Sequence, residues 1–135
     1  MDFNGALYKI LLVLHILAVI GAFGPLFLYG AVVRAGGAAE AARTHMRSAF
    51  PALIALMVFG MGLVGLSDGN YGFGQLWVAL ALVIWVVLIA VSWFMVRPAL
   101  TDAGDAARSR LAAGIGITHL GMAVSVILMV FKPGL

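Results

Sequence analysis

Two histidines stand inside long apolar runs, His15 in LVLHILAVIGAFGPLFLYG and His119 in GIGITHLGMAVSVILMVF. An imidazole is costly in hydrocarbon, so each needs a partner or a task. A neutral imidazole ring nitrogen can ligate haem iron or another transition metal. The same runs hold Met57, Met61, Met122 and Met129 within reach of neighbouring helices, and thioethers are soft donors suited to copper. Acidic residues are missing from the runs, since Glu40, Asp68, Asp102 and Asp105 fall between them. That argues against carboxylate-driven ion transport and against hydrolysis by paired carboxylates. There is no cysteine, which excludes thiolate metal sites and disulfides.

Depth can be compared by counting. His15 lies eight residues in from Leu7, about 12 Å at the helical rise, and His119 lies twelve from Phe131, about 18 Å. In an antiparallel four-helix arrangement the first and last helices are neighbours. The expectation is therefore a shared cavity, with both imidazoles as ligands of a haem b iron. Ala18, Ala22, Gly116, Gly121 and Ala123 would leave room for a flat macrocycle. The alternative is structural: each histidine bonds a hydroxyl or carbonyl of the next helix, with Ser92, Thr118 and Ser125 available, and the small residues are plain packing. Trp85, at mid-run, wants an acceptor for its indole N–H, such as a cofactor or a partner's carbonyl; the plainer reading is a lipid-facing or packed tryptophan.

The elements that must position these side chains follow from composition. Of 135 residues, 64% are hydrophobic and 10% charged, and the mean hydropathy is +1.16. A soluble domain has roughly a quarter of its residues charged, so this is an integral membrane protein of one domain. Four apolar segments, roughly 7–33, 48–67, 76–96 and 111–131, each reach the ~20 residues that cross a bilayer as a helix. Short connectors make the fold class all-α, a four-transmembrane-helix up-down-up-down bundle. GAFGPLF predicts a kink in the first span near Ala22. Arg34, Arg43, Arg47, Arg97, Arg108 and Arg110 all flank the first and third connectors, against Lys9 and Lys132 at the other end. The expectation is that loops one and three are cytoplasmic and both termini outside, in a prokaryotic plasma membrane. The basic residues suit a lipid bilayer better than nucleic acid. His45, at the start of span two, reads as an interfacial residue.

LHILAVIGAFGPLFLYG and the closing ILMVFKP resemble a superfamily of small four-helix membrane proteins. It contains copper-resistance-D-like proteins, the J-type protoporphyrinogen oxidases and a related family of unknown function. The matching features are Leu14-His15-Ile16, Pro25-Leu26-Phe27 and Lys132-Pro133. The resemblance to the oxidases implies a b-type haem on His15. Leu12 stands where those oxidases carry a lysine, and the likeness is closer to the family of unknown function, which implies no activity. The leading expectation is a haem-associated or redox-linked membrane protein. The alternatives are an accessory subunit of a respiratory or photosynthetic complex, bound to other transmembrane subunits or to copies of itself, and a copper-handling protein.

Overall fold

The computed structural model describes residues 5–134. Four helical rods, Ala6–Arg34, Ala38–Gly65, Leu76–Thr101 and Asp105–Phe131, are each long and apolar enough to cross a membrane. No strand occurs among the described residues. The chain is a multi-pass membrane protein whose rods alternate in direction, and its apolar outer faces meet the lipid.

The first rod is two helices, α1 (Ala6–Phe23) and α2 (Leu26–Arg34). The break falls at Gly24-Pro25, because Pro25 brings no N–H to the ladder. The second rod comprises α3 (Ala38–Thr44), a π-helical turn at His45–Ala49, and α4 (Phe50–Gly65). The third comprises α5 (Leu76–Val91), a second π turn at Ser92–Val96, and α6 (Arg97–Thr101). The fourth is one unbroken helix, α7 (Asp105–Phe131).

Three rods begin or end outside their apolar segments. Rod two starts at Ala38, not near Ser48, and rod four at Asp105, not Leu111. Rod three runs on to Thr101. AAEAART and DAARSR are rich in Ala, Glu and Arg, strong helix formers, so the helix continues past the apolar boundary. The connectors at this end shrink accordingly, and each turns at a glycine with positive φ, Gly36 at 87° and Gly104 at 98°. Only glycine adopts that conformation without strain.

Packing pairs the rods as two hairpins. Within the first, α1 lies against α4 along a seam of small residues. A Cβ on Gly21 would lie 3.2 Å from the Ala52 Cβ, and one on Gly60 would lie 3.1 Å from the His15 ring. Within the second, α5 lies against α7, and a Cβ on Gly121 would lie 2.8 Å from a Leu88 methyl. Small residues let helix axes approach where lipid gives no hydrophobic drive.

The two hairpins meet mainly at the arginine-bearing end. There Leu26, Tyr29, Ala49, Val91, Val96 and Leu111 form the largest buried cluster. A second cluster at mid-depth joins Ala22, Phe23, Leu53 and Leu88. Toward the far end only Trp77, Val78 and Leu128 close together, and the hairpins part. Rods one and four touch sparsely, through both α1 and α2 against α7, and the outer half of α1 faces a cleft.

Candidate functional site

That cleft is a cavity of about 290 Å³, lined by residues of α1, α4, α5, α7 and the 66–75 loop. It is at the lower end of the range typical of small-molecule sites, roughly 300–1,000 Å³. Its walls are mostly apolar and aromatic. On α1 they run from Tyr8 to Phe23, fifteen residues or about 22 Å of helix, so the space is elongated along the bundle.

His15 is the one histidine on this wall. It projects from α1 onto α4, where its Nδ1 lies 2.7 Å from the Leu56 carbonyl oxygen. A carbonyl can only accept, so Nδ1 carries the proton and Nε2 is left with a lone pair. Nε2 has no hydrogen-bond partner among the described residues, and it is not sealed from the cavity as the His119 Nε2 is sealed in its packing. Gly60 makes this pose possible, because any side chain there would press on the ring at 3.1 Å. An N–H donated to a backbone carbonyl is the usual outer-shell partner of a ligating histidine, fixing tautomer and ring orientation.

Met57, Met61, Met122 and Met129 line the same cavity. Trp85 lines it as well, and its Nε1 donates to the Leu53 carbonyl at 2.7 Å, so a backbone carbonyl on α4 is the acceptor its depth demanded. The mouth lies at the end away from the arginines, where Lys132 approaches the Tyr71 and Trp77 rings at 5.8 and 5.9 Å. Tyr71 meets Trp77 edge-on, with centroids 5.1 Å apart. The 66–75 loop holds Tyr71 there through Ser67, whose buried Oγ donates to Val64 O at 2.7 Å and accepts from the Tyr71 N–H at 3.0 Å. Gln75 Nε2 donates to Asn70 O at 2.9 Å and ties the end of the loop back to its middle.

His119 takes a different place. It does not line the cavity; its ring stacks on Phe27 of α2 at 3.8 Å, with the planes 18° apart. Its Nε2 is buried with no hydrogen-bond partner among the described residues. The structure therefore does not bring His15 and His119 to one cavity. Thr118 does not serve either histidine, because its hydroxyl donates to Gly114 O at 2.8 Å within α7.

His45 is buried inside the bundle. It is 1% exposed and sits at the head of the first π turn. Its Nδ1 lies 3.2 Å from the Tyr29 hydroxyl. Its Nε2 lies 2.8 Å from Ser92 Oγ and 3.2 Å from Ser92 O. Ser92 heads the second π turn. Two π turns thus meet across one buried imidazole, and π turns recur where a helix is locally re-aimed for a specific contact. The sequence signal for this trio was weak: a tyrosine hydroxyl, a histidine and a serine in three different rods, none adjacent in the chain.

Among the described residues no cluster of three or more His, Cys, Asp or Glu side chains forms. Beside the His15 imidazole, the cavity wall offers methionine thioethers, the hydroxyl-bearing Tyr8, Tyr71 and Ser125, and Lys132. Comparison with protein-family models, curated proteins and solved structures finds no match to this chain.

Proposed function

We propose that this protein holds a b-type haem in the inter-hairpin cavity, with His15 Nε2 as the protein ligand to iron. The observation that carries the reading is the His15 pose. A ring fixed by the Leu56 carbonyl at 2.7 Å turns its basic nitrogen to an apolar cavity within the membrane span. The donor set fits a haem held by a single histidine, and His119 lies outside it. The resemblance of Leu14-His15-Ile16 and the closing Lys132-Pro133 to the J-type oxidases, within that superfamily, is in keeping with a haem on His15. Lys132 at the mouth suits a propionate carboxylate. Bound there, the haem would supply one-electron chemistry inside the bilayer. The chain's own part would be to orient the ligating nitrogen of His15, exclude water with apolar walls and offer methionine sulfur from the same cavity wall.

The arginine distribution supports a plasma-membrane orientation with loops one and three cytoplasmic, which puts the cavity mouth on the outer side. The test is an absorption spectrum of gently solubilised protein, oxidised and then reduced. Sharp reduced bands lost in His15→Ala and kept in His119→Ala are expected. No bands in folded protein, or bands kept in His15→Ala, would refute the haem.

A second reading rests on a specific observation: all four methionines at this depth line the cavity with His15. One imidazole and thioethers suit Cu(I). Under that reading copper raises the thermal midpoint of the wild type but not of His15→Ala or Met122→Leu.

A further inference from the structure

We propose that the groove between α2 and the first turns of α7 binds an anionic phospholipid, its headgroup phosphate held between Arg34 and Arg108. The groove encloses about 190 Å³. Gly30 and Ala112 form a shallow floor, Val33 and Ile115 are apolar walls, and the two arginines stand at one end. This is a place for a charged headgroup with an acyl chain lying down the helix faces.

The charges at this end of the bundle single out the pair. Arg43 is bound to Glu40 at 3.1 Å, and Arg110 to Asp102 at 2.9 Å. Arg97 lies over the Trp93 ring at 4.1 Å. Arg34, Arg47 and Arg108 have no ion-pair partner among the described residues. Of these three, only Arg34 and Arg108 line a common groove. Asp105, one turn from Arg108, pairs with neither.

Gly30 adds a positional argument. A Cβ built on it would lie 3.3 Å from the Arg34 Nη1, so the guanidinium folds back over the glycine and into the groove. Arg34 closes the first membrane-crossing rod and Arg108 lies in the first turn of the fourth, which puts both at headgroup level. Guanidinium groups bind phosphate oxygens through paired N–H donors, and basic pockets between spans are a recurring lipid-headgroup site.

The test is native mass spectrometry of the full chain released from micelles doped with equal phosphatidylglycerol and phosphatidylcholine. The wild type should retain phosphatidylglycerol preferentially, with one tight copy. Arg34→Gln or Arg108→Gln should reduce that retention roughly fivefold, and the double variant about 25-fold. Arg47→Gln removes an equal, unpaired charge outside the groove and should change nothing. Gly30→Val, which keeps both charges but displaces Arg34, should weaken retention as Arg34→Gln does. All four substitutions fall on exposed or half-exposed positions, and helicity by circular dichroism checks the fold. Equal retention of the two lipids would overturn the proposal outright, and equal losses in Arg47→Gln and Arg34→Gln would overturn it in favour of diffuse surface charge. Displacement of the lipid by millimolar inorganic phosphate would overturn it in favour of a free-anion site.

Discussion

Removing the Tyr29 hydroxyl should destabilise the protein measurably, and more than removing the Ser92 hydroxyl. Tyr29 is 2% exposed and His45 is 1% exposed, so no water replaces a lost partner. The imidazole has two neutral arrangements. In one, the Tyr29 hydroxyl donates to Nδ1 and Nε2–H donates to the Ser92 carbonyl at 3.2 Å. In the other, Nδ1–H donates to Tyr29 and the Ser92 hydroxyl donates to Nε2 at 2.8 Å. Ser92→Ala leaves the first arrangement whole, because the carbonyl remains. Tyr29→Phe leaves Nδ1 bare in either. Interhelical hydrogen bonds in membranes average about 0.6 kcal/mol and reach about 1.7, while an orphaned buried group costs about 1–3. Tyr29→Phe should therefore cost about 1.5 kcal/mol and Ser92→Ala about 0.5. His45→Leu, which strands the Tyr29 hydroxyl, should cost about 2–3 kcal/mol. The assay is reversible unfolding in mixed micelles as the fraction of denaturing detergent rises. A Tyr29→Phe cost below about 0.3 kcal/mol, or a Ser92→Ala cost exceeding it, would refute the network as drawn.

The π turns predict where the chain tolerates deletion. Deleting Ser48, within His45–Ala49, converts the wide turn to an α turn and leaves the facing of α4 intact. Deleting Ile54 instead rotates part of α4 by about 100°. Folded yield should survive the first and collapse with the second, and similar yields would contradict the assignment of the turn. Gly60 and Gly62 form a matched pair, since a Cβ at each meets a side-chain atom at 3.1 Å, the His15 ring in one case and a Leu11 methyl in the other. The leucine can swing away; the imidazole is tied to Leu56. Gly60→Ala should weaken cofactor retention roughly tenfold and Gly62→Ala should not, as read by titration of the apoprotein. Equal effects would mean the His15 pose is not what the ligand requires.

Much of the architecture follows directly from the sequence. Four apolar segments, short connectors and the Gly24-Pro25 break are all realised, because length and hydropathy dictate crossing helices. That Trp85 needs an acceptor was legible from its depth, though not that the Leu53 carbonyl supplies it, and the methionines named as soft donors do line the His15 cavity. Rotation about the axis was not. These rods are apolar on nearly every face, as lipid permits, so periodicity gives no inward stripe. His15 and His119 part company: one lines the cleft, and the other stacks on Phe27, twelve residues further along the first rod. The burial of His45 was hidden for a related reason. Its neighbours Thr44, Arg47 and Ser48 are polar, yet its own ring turns inward to Tyr29 and Ser92. The π turns have no local signal, because they arise from how two rods fit against each other.

The central claim is that the His15 imidazole is a ligand and not a packing group. Replacing it by glycine removes the nitrogen and leaves a hole beside Leu56 that free imidazole can fill. The reduced absorption bands of His15→Gly should vanish, then return when millimolar imidazole is added to the folded variant with haem. Bands unchanged by the substitution, or lost and not restored by imidazole, would contradict it.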